Sequence, residues 1–299
     1  MYIRKLMYDV PIPEMIRVKQ KFETPRVEDI REKIHEEFKK IKIKSGSRIA
    51  ITGGSRGINK IVEILSYIID EVKQMGGEPF ILSAMGSHGG DTIEGQREIL
   101  ESYGITEENV NVPVICSTEA VEIGKNSFGM PVYFDKIAMD CDGVIAVNRI
   151  KAHTDFRGDI ESGIFKMLGI GLGKRKGADQ IHDLGTKGMT KVLPDSVRVI
   201  LKNAPVVCGV AIIENALLDP ACIEVITPES LEQREKELLK YARKISPKLH
   251  FKDIDLLIID EIHLINDLSR GATLEMVITM MNLLSKNLQF LGLSATIGN

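Results

Sequence analysis

"SRIAITGGSRGINKIVEILSYIIDEVKQMGGEPFILSAMG", residues 47–86, decides the fold class. "SRIAITGG" is an apolar run that reads as a strand. "INKIVEILSYIIDEVKQMGG" repeats apolar residues at helical spacing and ends on glycine, and "EPFILSAMG" reads as the next strand. Together they make one βαβ unit. Working outward, further strands are expected at "VPVICS", "CDGVIAVNRI", "APVVCGVAIIEN", "CIEVIT" and "IDLLIID", and a charged helix at "ESLEQREKELLKYARKI". Alternation of this kind predicts an α/β fold, a mainly parallel sheet with helices on both faces. Residues 1–30 read as an extended lead-in or edge hairpin, and neither an internal repeat nor a low-complexity linker interrupts the chain.

With 299 residues, 43% of them hydrophobic, the chain can bury a core in one large or two ordinary domains. A net charge of −3 and 5% aromatic content supply neither the basic field nor the stacking platform of a nucleic-acid binder, so a nucleic-acid partner is not expected. No apolar run approaches the ~20 residues of a membrane span, and "MYIRKLMYDVPIPEM" lacks an apolar signal core, so a cytoplasmic location without membrane association is expected. Cys116, Cys141, Cys208 and Cys222 stand in apolar, strand-like stretches without C-x-x-C spacing and read as buried reduced thiols. "KKIKIK", 39–44, reads as the solvated end of a helix and its loop.

Two stretches imitate nucleotide sites. "LLIIDEIHLINDLSRGATLEMVIT", 256–279, resembles motif II of superfamily 2 helicases, and "LQFLGLSATIGN" resembles motif III; with "LSRGATLE" the stretch looks like the archaeal Ski2-like repair helicases, a likeness that covers about Ile254 to Asn299. Such an enzyme also needs G-x-x-x-x-G-K-[ST] to cradle phosphates. In "LGIGLGKRKG", Leu168 stands for the first glycine and Arg175 for the hydroxyl, so Asp260 and Glu261 are expected to hydrolyse nothing. "TGGSRGIN", 52–59, resembles the dinucleotide turn of short-chain dehydrogenases, but Asn59 replaces the last glycine, Ser83 stands where an acid would hold a ribose, and no Y-x-x-x-K pair occurs. It reads either as a tight strand-to-helix turn or as an anion-binding turn of another kind.

The histidines are more informative. His88 in "AMGSHGG", His153 in "NRIKAHTDF", Lys166 in "ESGIFK" and His182 in "GADQIHDLG" each lie in or beside a glycine-rich or polar loop, the first two directly after expected strands. Ligands of a parallel α/β sheet bind at the carboxyl ends of its strands. Imidazoles there can act as acid and base near neutral pH or ligate a metal. Singly, each loop histidine also fits an ordinary hydrogen-bonded surface residue. His35 and His250 lie in charged or linker contexts and are assigned no role, and His263 belongs to the helicase-like stretch.

These motifs resemble those of the lactate racemase N-terminal domain, whose relatives are nickel-pincer-cofactor-dependent isomerases with a Rossmann-like fold. The resemblance runs from "YDVPIP" to about residue 260 and implies specific roles. His88 and His153 match the alternating acid/base histidines. Ser162, Gly163 and Lys166 reproduce S-G-x-x-K, whose lysine carries a nicotinate-derived pincer nucleotide covalently. His182, sixteen positions on (182 − 166 = 16), matches the protein ligand to nickel. Arg56 matches an arginine at the first strand's end, suited to a carboxylate or phosphate. Lys174, Arg175 and Lys176 read as a solvated basic loop or as helpers for the cofactor phosphate. The implied activity is racemisation or epimerisation of a 2-hydroxy acid by hydride transfer between substrate carbon and cofactor, with the histidines moving the hydroxyl proton. The implied partners are a small-molecule substrate and the proteins that build the cofactor; the oligomeric state is left open.

The sequence also departs from the family. Gly53 lacks the usual aspartate and Gly57 replaces proline, while Ile164 and Phe165 enlarge the S-G-G-x-K turn, so a reshaped pocket and a substrate other than lactate are expected. At Glu261–His263 the chain leaves the isomerase pattern for the helicase-like one, predicting a division into 1–260, the cofactor-binding domain, and 261–299, a chimeric tail. The second isomerase domain is absent from this stretch, so cofactor binding is better supported than turnover. Alternatives are an NAD(P)-dependent oxidoreductase, a helicase fragment or nucleic-acid-binding module, and a scaffold with no ligand.

Overall fold

A computed structural model describes residues 17–153, 156–248, 256–259, 278 and 289–292. Within them the expected βαβ unit forms as β1 (Arg48–Gly53), α2 (Ile61–Gln74) and β2 (Glu78–Ser83), preceded by α1 (Ile30–Phe38). Asp29 caps α1 by accepting the Glu32 N–H at 2.9 Å. Ile64, Leu65, Ile68, Ile69 and Val72, at helical spacing, bury one face of α2. Gly76, at φ +84°, then turns the chain into β2.

The main sheet has the order β3-β2-β1-β6-β7-β8, where β3 is Val114–Ile115, β6 Gly143–Arg149, β7 Val206–Glu214 and β8 Pro220–Ile226. All neighbours are parallel except β8, which runs antiparallel to β7 at one edge. A separate antiparallel hairpin, β4 (Ala120–Lys125) and β5 (Pro131–Asp135), was not expected from the sequence. Both faces of the sheet are covered, so its central strands read as continuous apolar runs. Ile49 and Ile51 face the cluster built with α1, α2 and Leu100 of α3 (Ile93–Ser102). Ala50 faces the other way, onto the helical segment from Ile164 to His182, α5 (Leu193–Asn203) and α6 (Leu231–Ile245). That segment begins as one turn, Ile164–Lys166, widens into a π turn at Met167–Gly171 and ends as α4 (Lys174–His182).

From β1 the chain winds outward through β2 to β3, then crosses back to place β6 on the other side of β1. The carboxyl ends of β1 and β6 therefore flank a topological switch point, where a crevice opens. Near the C-terminus, β9 (Leu256–Ile259) and β10 (Gln289–Gly292) form a two-stranded parallel sheet. Asp260, Glu261, His263, His250 and the lead-in "YDVPIP" lie outside the described residues. Among the described residues no helix is long and apolar enough to cross a membrane.

Candidate active site

The loops that follow β1, β2 and β6 wall a cavity of about 400 Å³ together with the turn that carries Lys166. Arg56, His88, His153, Ser162 and Lys166 all line it. Residues up to 110 positions apart (166 − 56 = 110) thus meet because the sheet changes its winding direction between β1 and β6.

His88 Nδ1 lies 2.8 Å from the Met85 carbonyl oxygen. A carbonyl only accepts, so Nδ1 carries the proton in the neutral ring and Nε2 keeps its lone pair, as a general base requires. Gly86, at φ +60°, brings this loop against Ile170 and Ala178, which a Cβ there would meet at 3.2 Å.

His153 is fixed from two sides. Lys151 and Ser162 exchange backbone hydrogen bonds of 2.9 and 3.3 Å, tying its loop to the S-G-x-x-K segment. The Glu161 carboxylate accepts the N–H groups of His153 at 2.7 Å and Gly158 at 2.9 Å, and pairs at 2.6 Å with Arg243 of α6. The His153 ring packs 4.5 Å, centroid to centroid, from Phe156. Its Nε2 lies 3.3 Å from Lys166 Nζ, so the matched base and the matched attachment lysine are direct neighbours.

Gly163 does not line the cavity; its role is to let Glu235 approach, since a Cβ there would sit 2.3 Å from Glu235 Oε1. Glu235, fully buried on α6, accepts the Phe165 N–H at 3.1 Å. Burial pushes its carboxyl up to about 8, against the pull of those backbone donors. One helix, α6, therefore braces both halves of the site, through Glu235 under the lysine turn and Arg243 behind the histidine loop.

His182 stands at the end of α4, outside the residues that line the cavity. Burial, then the charges of Lys166 and His88, lower its pKa and favour the neutral imidazole a metal needs. Among the described residues no three His, Cys, Asp or Glu side chains converge as a metal cluster.

The basic cluster divides: Arg175 and Lys176 are exposed, as a solvated loop predicts, and Lys174 is the correction. Lys174 is not solvated and does not line the cavity: its ammonium is fully buried 2.8 Å from Asp135 and donates to the Ser83 carbonyl at 2.6 Å. Arg175 pairs with Asp179 at 3.2 Å, and Lys176 lies over the Tyr133 ring at 5.7 Å. Conversely, Tyr103, Asn148, Arg149 and Lys151 line the cavity without having been assigned a role from sequence. The polar ending "NRIK" of an otherwise apolar strand was the available signal for three of them.

A family model, "Lactate racemase N-terminal domain", matches residues 15–192. A second, "DEAD/DEAH box helicase", matches 209–299. That second match starts within β7, which is paired in register with β6 of the main sheet. The ATP-dependent DNA helicase Hel308 of Methanocaldococcus jannaschii is 55% identical over 47 residues, 16% of this chain and 4% of that protein. Its Pyrococcus abyssi counterpart is 56% identical over 48 residues, 16% of this chain and 6% of that protein. The chain thus spans only a small part of these helicases. Among solved structures, the lactate racemase apoprotein from Thermoanaerobacterium thermosaccharolyticum shares the fold, with a TM-score of 0.57 and 13% identity, over 80% of this chain and 60% of that one. On the match that spans more than half of its length, the chain belongs to the lactate racemase N-terminal domain family.

Proposed function

We propose that the chain is the cofactor-binding part of a nickel-pincer-type isomerase acting on a 2-hydroxy acid, divided from a helicase-like tail at about residue 260. The observation that carries this reading is the convergence of Arg56, His88, His153, Ser162 and Lys166 on one cavity, with Lys166 Nζ 3.3 Å from His153 Nε2. The residues fit the group: the cavity supplies an amine for covalent attachment and cationic walls for its phosphate, and His182, outside the cavity lining at the end of α4, would supply an imidazole for a metal whose other donors come from the cofactor. When bound, the group supplies a hydride acceptor and donor.

The protein's part is proton transfer and orientation. His88, with Nδ1 held by the Met85 carbonyl, presents Nε2 as the base for a substrate hydroxyl. His153 serves the same purpose from the loop after β6, held by Glu161. Two such groups suit a racemase, because each enantiomer needs its own proton acceptor. Arg56 takes the substrate carboxylate. The helicase reading is weaker, since the lysine of its nearest phosphate-loop imitation is buried against Asp135.

The test is co-expression with the cofactor-building enzymes, followed by intact mass and nickel content. An adduct on the native chain, lost in Lys166→Ala and with weaker nickel retention in His182→Ala, is expected. An adduct retained in Lys166→Ala would refute the assignment.

A further inference from the structure

Among the described residues Lys174 is the only lysine or arginine buried as a whole, and the proposed chemistry does not use it. Its backbone is as unusual as its burial. The φ angle is +53°, in the left-handed region where a residue with a Cβ is uncommon and glycine is the default. The surrounding stretch, "GIGLGKRKG" at 169–177, is rich in glycine, so a lysine at the left-handed position calls for a reason in its side chain.

That side chain reaches the end of β2. Its ammonium lies 2.8 Å from Asp135, which supplies the counter-charge, and donates to the Ser83 carbonyl at 2.6 Å. Burial lowers the Lys174 pKa, and Asp135 opposes the shift through its charge and its hydrogen bond. Ser83 is the last residue of β2, and the loop that begins there carries His88 five positions on (88 − 83 = 5). A second contact fixes the same loop to the same helical segment: the Gly86 N–H donates to the Gly171 carbonyl at 3.1 Å, with Ile170 and Ala178 packed against Gly86. Met85, whose carbonyl takes the His88 Nδ1–H, lies between these two tied points. His182 ends the helix that Lys174 begins. An α-helix of this length is a stiff span of about 12 Å, so fixing its start also fixes its end.

We propose that Lys174 is a positioning residue that docks α4 on the end of β2 and so holds His88 and His182 at one fixed separation. The proposal rests on the isomerase reading only for the chemistry given to those two histidines. A counter-ion for Asp135 needs no carbonyl of β2; the bond to Ser83 is what makes the lysine a tie between elements.

Lys174→Met/Asp135→Asn separates this role from stability, since it removes the tie without stranding a carboxylate. Nitrogen NMR of the His88 ring, on the full chain without cofactor at about pH 9, where an imidazole is neutral, reads the tautomer directly. The native ring is expected in the Nδ1–H form dictated by the Met85 carbonyl. In the double variant the Nε2–H form is expected to become populated, and the Gly86 amide to exchange at least about threefold faster, with much of the native stability kept. Lys174→Gly/Asp135→Asn, in which glycine suits the left-handed backbone, gives the same readout if the methionine variant does not fold. Arg175→Gln, on the neighbouring exposed side chain outside the cavity lining, should change neither. A change as large in Arg175→Gln would assign the effect to charge at the start of α4 and overturn the proposal. Native tautomer and native exchange in a folded double variant would overturn it too, as would a native ring in the Nε2–H form. The Lys166 adduct is read separately by mass, so the tie and the isomerase reading can fail independently.

Discussion

The body around the main sheet and the helicase-like C-terminal stretch each carry a recognisable motif set, but among the described residues only the body's is brought together. In the body, Arg56, His88, His153 and Lys166 come from separate loops and wall one cavity, because the sheet reverses its winding between β1 and β6. The C-terminal stretch has DEIH at 260–263 but no G-x-x-x-x-G-K-[ST] anywhere in the 299 residues. Its nearest imitation ends on a lysine that pairs with Asp135 in the core. A motif supports chemistry when the fold delivers its partners, and adjacency in sequence is a poor guide to that.

The sharpest way to break this contrast is Lys174. If its role is to neutralise Asp135, Lys174→Met strands a buried carboxylate and costs about 3–5 kcal/mol in urea unfolding. Adding Asp135→Asn, which keeps the oxygen that caps Ala138, should recover much of the loss. A neutral Lys174→Met would return the lysine to the candidates for phosphate binding. The bracing of His153 should show next: Glu161→Gln is expected to cost about 2 kcal/mol and to speed amide exchange at His153 and Gly158. Unchanged exchange would remove Glu161 as the loop's clamp.

Glu235 gives a pH dependence of defined sign. Its folded-state carboxyl, pushed up from 4.5 to about 8, stays protonated where the unfolded chain's is ionised. Its contribution is therefore fully present below pH 4.5 and is lost as pH rises toward 8. Glu235→Gln should flatten that slope and leave the chain about 1–3 kcal/mol more stable than the native one above it. An unchanged slope would mean the carboxyl is ionised in the fold. The smallest effect concerns the tail: among the described residues both core clusters end by Ile245. Truncation after Lys248 should then shift unfolding by no more than about 0.5 kcal/mol; a larger loss would make the C-terminal stretch part of the body.

Much of this was legible in the sequence. Period-3.6 and continuous apolar runs located β1, α2, β2, β6 and β7, since both sheet faces are buried. The strand-end rule brought His88 and His153 to one crevice. The β4–β5 hairpin was missed because β4 is mostly half-buried and buries no residue fully, and β5 alternates over only a few residues. Lys174 was misread because its counter-ion lies 39 positions upstream (174 − 135 = 39), a pairing that only the packed hairpin creates. Glu235 hid in a charged helix, although it shares the apolar stripe of Leu231, Leu238 and Ala242, and that spacing could have exposed it. Gly163, a cofactor contact by the family resemblance, also has a place in the fold that the sequence did not show, under the carboxylate of Glu235.

Intact mass of the native chain and Lys166→Ala, each co-expressed with the cofactor-building enzymes and with nickel measured alongside, tests the central claim most directly. One stoichiometric adduct on the native chain and none on Lys166→Ala is the predicted result. An unmodified native chain, also when the chain is supplied with the second domain of its family, would contradict it.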